Sequence, residues 1–254
     1  MKPVLWHIPV SHYNEKVRWA LAYKGIEHER RAPVPGAHMA VAVALTRGRS
    51  KTFPVLQLDG RAIGDSSEII AALEELQPDP PLYPADASDR ARALALEDFF
   101  DEELGPHIRL LAWHEATKDE DSFGRFSSTM VPRPLRRVAA PLTRTFLNLR
   151  YGVSDEGATA LARERVLAAL DRLEAELGDG DYLVGDAFTV ADLTAASLFY
   201  PLVNPPEGPK LPEPPPGFEE FVGPLRGRRG YDWIAETFRR HRKPAAVTAA
   251  LEAS

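Results

Sequence analysis

Two hydrophobic periods share the first 76 residues of the chain. "VLWHI" (4–8) is a short apolar run of strand length. From Tyr13 the apolar positions Tyr13, Val17, Ala20 and Leu21 recur at helical spacing, and Gly25 supplies a C-terminal stop. "EHERRA" (27–32) predicts a second strand. "FPVLQLDGRAIG" (53–64) reads as two short strands joined at Asp59-Gly60, a strong hairpin signal. "SSEIIAALEEL" (66–76) predicts a helix capped by Ser66 or Ser67, with acids in its first turn. The order is therefore β-α-β, a variable stretch, then β-β-α.

The pattern changes at "QPDPPLYPADAS" (77–88), whose closely spaced prolines cannot continue a helix. This stretch reads as a linker (78–88) between an α/β domain (1–77) and an all-α domain (89–254). Ser88 is expected to cap a long helix running to about Thr117, kinked near Gly105 by Pro106. Residues 161–177, 188–202 and 231–243 predict three further helices. Two stretches fit neither period. Residues 122–153 hold six arginines and no acid, interleaved with Phe123, Phe126, Met130, Leu135, Phe146, Leu147 and Tyr151. Residues 201–224 hold nine prolines, the mark of a long irregular loop. No internal repeat is visible.

Composition narrows the chemistry. The chain of 254 residues is 44% hydrophobic and 27% charged, as in an ordinary soluble protein, and long enough for one large domain or two modest ones. No apolar run approaches the ~18 residues that cross a bilayer, and the N-terminus lacks a signal-peptide pattern, so a cytoplasmic protein without stable membrane insertion is expected. A net charge of −6 argues against nucleic acid as the main partner. There is no cysteine, which excludes disulfides, thiolate metal sites and redox chemistry by the protein's own thiol. Any sulfur chemistry must use the sulfur of a ligand. No grouping of the seven histidines has metal-ligand spacing, so no metal is expected.

The candidate chemistry sits where the first strand pattern meets the first helix. Ser11, His12, Tyr13 and Asn14 occupy that junction. A helix N-terminus offers unpaired N–H groups and partial positive charge to an anion, and a hydroxyl placed there can donate to a thiolate. Ser11 equally fits an N-cap. Tyr13 can supply a hydroxyl from the same helix start, or pack its ring on the first turn. His12 is expected to be a solvated turn residue. Asn14 stands where a C-x-x-C motif would have its second cysteine, which closes that reductase route.

Four separated stretches resemble the cytosolic glutathione transferase superfamily, in its order and spacing. "SHYNEKVRWALAYKGI" is similar to S/C-P-x-x-x-x-V-R-x-x-L-x-x-K-G-I, "TFPVL" to x-V-P-x-L, "IGDSSEIIAALEE" to L-x-E-S-x-A-I-x-x-Y-L, and "YLVGDAFTVADLTAASL" to Y-L-x-G-x-x-x-T-x-A-D. The resemblance implies a thioredoxin-like domain followed by a helical domain, glutathione as co-substrate, and a small, apolar electrophile as second substrate. It places Ser11 on the catalytic position, with Tyr13 as second candidate. Pro54 takes the place of the family's cis-proline, leaving the Phe53 backbone to pair with glutathione. Asp65 and Ser66 fall where the family binds the γ-glutamyl end. For the glycine carboxylate, Arg49 and Lys51 are the candidates, with Arg47 and His38 nearby. Thr189 and Asp192 resemble a structural N-capping box. A homodimer and a role in detoxification are the family's usual attributes. His12 replaces the family's proline, and the loop before Thr52 departs from its pattern, which keeps a non-catalytic ligand- or partner-binding member of the fold as the alternative. For 122–153 a lid over the electrophile and a solvated helical hairpin both remain open.

Overall fold

A computed structural model describes residues 2–33, 37–128, 136–244 and 247–252. Strands β1 (Val4–Trp6), β2 (His28–Ala32), β3 (Val55–Leu58) and β4 (Arg61–Gly64) form a mixed sheet in the order β4-β3-β1-β2. β1 runs parallel to β2 and antiparallel to β3. Asp59 and Gly60, both at positive φ, make the tight β3–β4 turn that a type I′ hairpin requires. Helix α1 (His12–Tyr23) crosses from β1 to β2, α2 (Ala37–Thr46) follows β2, and α3 (Ser66–Leu76) closes the unit.

The remaining helices are α4 (Ala87–Phe99), α5 (Gly105–Lys118), α6 (Glu120–Ser128), α7 (Arg136–Tyr151), α8 (Glu156–Leu177), α9 (Val190–Val203), α10 (Pro216–Val222) and α11 (Arg229–His241). One continuous apolar core joins the two halves: Leu5, Val17, Trp19 and Leu56 pack in the same cluster as Phe100, Leu170, Leu198 and Phe199. Helix α9, buried along almost its whole length, lies against α1. Its start is the capping box seen in the sequence. Thr189 Oγ1 accepts from Ala191 N at 3.2 Å, and Asp192 Oδ2 accepts from Thr189 N at 2.8 Å.

Several local expectations change. Asp65, not Ser66 or Ser67, caps α3, accepting from Ser67 N and Glu68 N, because its carboxylate reaches the first-turn donors from one residue earlier. Asp86 rather than Ser88 caps α4 by the same geometry. Helix α8 begins at Glu156, five residues before the apolar repeat, under an Asp155 cap. The expected kink near Gly105 is a five-residue π-helical segment, Phe100–Leu104. Pro106 cannot donate a hydrogen bond backwards, and the widened turn absorbs the mismatch. The second half is not wholly helical, since β5 (Val247–Glu252) returns to the sheet and pairs in parallel with β2. Residues 129–135, with Met130, Arg133 and Leu135 of the arginine-rich stretch, lie outside the described residues.

Candidate functional site

The β1–α1 loop is held with unusual completeness. Ile8 O and Pro9 O accept from Arg18 at 3.2 and 2.9 Å, Val10 O accepts from Tyr200 Oη at 2.5 Å, and Ser11 O accepts from Glu15 N at 2.9 Å. Asn14 Oδ1 accepts from Ile8 N at 3.2 Å, while its Nδ2 donates to Ser11 Oγ at 2.8 Å and to Phe53 O at 3.4 Å. The four successive carbonyls of residues 8–11 are therefore all engaged. Arg18 is itself fixed by Glu15 at 2.7 Å, and Glu15 by Arg242 at 2.5 Å, which ties the loop to the end of α11. Sequence reasoning assigned no role to Arg18 or Tyr200. The V-R pair of the first motif was the available signal for Arg18.

Ser11 is the N-cap residue of α1, yet its side chain makes no cap hydrogen bond. The hydroxyl is instead turned by Asn14. An amide N–H occupies an Oγ lone pair, so the Ser11 proton is not spent on Asn14 and stays available to donate, close to the N–H groups that begin α1. An anion placed there would meet the hydroxyl and the helix field at one point.

That point opens into a cavity of about 2000 Å³, larger than the ~300–1,000 Å³ of an ordinary small-molecule site and roomy enough for two substrates. The cavity collects Ser11, Phe53, Pro54, Asp65, Ser66, Arg49, Lys51 and His38. These come from four separate segments of the chain. The Phe53–Pro54 bond is cis. Phe53 is buried, with Trp6 and His38 rings 6.3 and 6.2 Å from its own. Asp65 holds φ 76°, a left-handed value rare for a residue with a Cβ, and so concentrates backbone strain at the start of α3. Arg49 spends donors on Thr46 O and Ala62 O, at 3.2 and 3.3 Å, whereas Lys51 is exposed at the cavity. Arg47 does not line it. Thr189 and Asp192 lie away from it, in the helix cap described above.

Tyr13 also lines the cavity, but its hydroxyl donates to Asp101 O at 2.6 Å, and burial pushes its pKa above the ordinary phenol value. His12 is not a solvated turn residue: it is buried under α5, because Gly105 lets that helix approach the first turn of α1 closely. Burial first, and the charge of Arg109 second, hold its imidazole down to about 3. Burial lowers His38 as well.

Behind the start of α3 lies a buried ion cluster. Lys16 Nζ sits 2.8 Å from Glu97 and 2.5 Å from Asp101, and donates to Ser67 Oγ at 3.0 Å. Burial opposes its charge, but Asp101 and Glu97 outweigh burial and raise its pKa. Lys16 thereby joins α1, the start of α3 and the π-helical segment.

The two stretches that fit no period also wall the cavity. Phe126 from α6 and Leu142, Phe146, Leu147 and Tyr151 from α7 line it, as do residues 211–216 of the proline-rich loop. Helices α6 and α7, which carry the described part of the arginine-rich stretch, thus pack on each other and wall the cavity. Two arginines of the stretch lie against aromatic faces, Arg144 over Phe123 at 4.8 Å and Arg150 over Tyr151 at 5.1 Å. No cluster of potential metal ligands occurs among the described residues, and none of their helices is long and apolar enough to cross a membrane.

Residues 5–81 match the family model described as glutathione S-transferase, N-terminal domain, and residues 156–223 that of the C-terminal domain, together more than half of the chain. Helices α6 and α7 fall between the two. The chain is 28% identical over 200 residues to the probable maleylacetoacetate isomerase of Caenorhabditis elegans, spanning 78% of each protein. To the maleylacetoacetate isomerase of Rattus norvegicus it is 35% identical over 109 residues, 41% of this chain and half of the rat protein. Among solved structures, maleyl pyruvate isomerase, a bacterial glutathione S-transferase in zeta class, superposes with a TM-score of 0.61. That match covers 97% of this chain and 99% of the other at 22% identity, a likeness of fold.

Proposed function

The chain belongs to the cytosolic glutathione transferase superfamily, and we propose that it activates the thiol of glutathione at Ser11 to isomerise an electrophilic double bond. The observation that carries this reading is the direction of one hydrogen bond. Asn14 donates to Ser11 Oγ, so the serine proton is free for a sulfur at the end of α1. A hydrogen bond to an anion contributes about 1.5–3 kcal/mol and a helix terminus up to ~1 kcal/mol. At ~1.4 kcal/mol per pKa unit, that moves a thiol from about 8.5 into the neutral range. In this reading the Phe53 main chain pairs with the peptide backbone of glutathione. Asp65 and Ser66 receive its α-amino and α-carboxylate groups, and Lys51 meets the glycine carboxylate. Tyr13, whose proton is committed to Asp101, shapes the site without donating to sulfur.

Isomerisation is favoured over conjugation by the names of the curated relatives. The thiolate adds to one carbon of a double bond conjugated with a carbonyl. A C–S bond forms as the π pair moves to the carbonyl oxygen. The former double bond rotates, the pair returns, the C–S bond breaks, and glutathione leaves unchanged.

The test is to follow maleylacetoacetate by its absorbance, with free thiol counted in parallel. Isomerisation without loss of thiol supports the proposal. Stoichiometric thiol loss makes the protein a conjugating transferase instead. Absence of glutathione binding at millimolar concentration by calorimetry removes both readings. The homodimer usual in the superfamily belongs to the same proposal and is read by light scattering.

A further inference from the structure

Three residues that line the cavity carry a buried polar atom without a partner: His12 Nε2, Arg109 Nε and Asp101 Oδ1, whose other oxygen is held by Lys16. His12 lines it at 5% exposure, in the first turn of α1. The backbone of Gly105 bonds the ring, while Nε2 is buried without a hydrogen-bond partner. A backbone carbonyl can only accept, so the proton sits on Nδ1 and Nε2 keeps its lone pair. With the imidazole held well below neutrality, this group is an acceptor throughout the working pH range.

Arg109, from the first turns of α5, lines the same cavity, and its Nε is likewise buried without a partner. Both residues flank one ring. The His12 and Tyr13 ring centroids are 4.6 Å apart, and the Arg109 guanidinium lies 5.9 Å from Tyr13 and 4.8 Å from Tyr151. A buried acceptor and a buried donor, each idle and each on a residue that packs on the Tyr13 ring, are costly to leave unpaired. Neither residue is among those assigned above to glutathione, and the hydrogen bonds that hold the Ser11 loop come from Arg18, Tyr200 and Asn14.

We propose that His12 and Arg109 form a recognition subsite for a hydroxyl or enol beside a carbonyl or carboxylate: Nε2 accepts from the hydroxyl, and Arg109 donates to the neighbouring oxygen. This deepens the proposed function, since it names the class of co-substrate that the same cavity takes. It also assigns the otherwise unexplained replacement of a proline by His12. A site built to accept from a hydroxyl rejects the analogue that lacks its proton.

The test is equilibrium binding of unreactive probes by calorimetry: 2-, 3- and 4-hydroxybenzoate against the three matching methoxybenzoates. Each is titrated into the free protein and into the protein saturated with S-methylglutathione. At least one hydroxybenzoate is expected to bind ~10-fold tighter than its methyl ether. His12→Leu should bring that preference below 2-fold, and His12→Gln, which restores an acceptor oxygen, should recover part of it. Arg109→Gln should weaken both members of the pair about 10-fold. Equal binding of hydroxy and methoxy probes, a preference that survives His12→Leu, or no binding of any probe overturns the subsite. Should His12→Leu fail to fold, ¹⁵N resonances of histidine in the unaltered protein decide. His12 Nε2 must be unprotonated and must shift with the hydroxybenzoate but not with its ether. Failure of S-methylglutathione to bind counts against the glutathione reading alone, because the probe series is also read on the free protein.

Discussion

Asn14 Nδ2 lies 2.8 Å from Ser11 Oγ and donates to it, while Asn14 Oδ1 receives the N–H of Ile8. One fully buried amide thus sets both the course of the loop and the direction of the serine proton. A hydroxyl that accepted nothing would be free to turn back and cap the helix. Asn14 removes that option.

The first prediction follows from this pair. Asn14→Asp replaces a donor by an acceptor, so Ser11 would donate to the new carboxylate instead of to a thiolate. The pKa of bound glutathione should rise by one to two units, read from thiolate absorbance near 240 nm or from the pH dependence of kcat/KM; that corresponds to about 1.4–3 kcal/mol. Ser11→Ala should cause a similar rise. If Asn14→Asp leaves the thiol pKa unmoved, the serine proton does not face the sulfur.

A second prediction concerns Lys16, buried between Glu97 and Asp101. Lys16→Met would leave two carboxylates facing each other out of water. Breaking a buried ion pair from one side costs about 3–5 kcal/mol. Urea unfolding should register a loss of that order, and Glu97→Gln added to Lys16→Met should recover part of it. Glutathione affinity should fall as well, since Lys16 also positions Ser67 at the start of α3. A fall in stability with unchanged affinity would separate the cluster from the site.

These pairs show which parts of the molecule the sequence could reveal. The hairpin at Asp59-Gly60, the helix after Asp65 and the box at Thr189 and Asp192 are local, and each is written within a few consecutive residues. The cap assignments slipped by one or two positions because Asp and Ser cap equally well and stand within two residues of each other at both starts. The burial of His12 was hidden, since it is imposed by Gly105 and Arg109, more than ninety residues away. Strand β5 was hidden for a related reason. "VTAALE" has little strand character of its own, and its conformation comes from pairing with β2. The arginine-rich stretch was legible as unusual composition, and the resemblance offered it as a lid or a solvated hairpin; composition alone could not choose, because the cavity it faces is made by distant segments.

A third prediction uses that close approach. In a helix, Gly→Ala ordinarily stabilises by about 1 kcal/mol. At Gly105 the sign should reverse, because an added Cβ would lie within 3 Å of both Tyr13 Oη and Cζ. The ring cannot retreat without losing its hydrogen bond to Asp101 O. Gly105→Ala should lower stability by about 1–3 kcal/mol, as for other overpacked sites, and should disturb the tyrosine that His12 and Arg109 flank. A gain in thermal stability would show that α5 shifts freely.

The last prediction is a pH dependence at the box of α9. Asp192 is fully buried; burial, the largest effect, outweighs its hydrogen bonds to Leu183, Thr189 and Thr189 Oγ1 and raises the carboxyl from 3.8 to about 6. The folded state therefore binds this proton more tightly than the unfolded chain does. Its contribution is fully present below pH 4 and is lost as the pH rises through 6. Asp192→Asn carries no titrating group, so its stability relative to the parent should improve over that interval. At every pH the variant also gives up an acceptor for the two Thr189 donors, at about 1–3 kcal/mol. Unfolding by urea at pH 4, 5, 6 and 7 in both proteins should therefore give a difference that favours the parent most at pH 4 and narrows upward. A difference that widens from pH 4 to 7 would mean that the hydrogen bonds overcome burial and that Asp192 folds as a carboxylate.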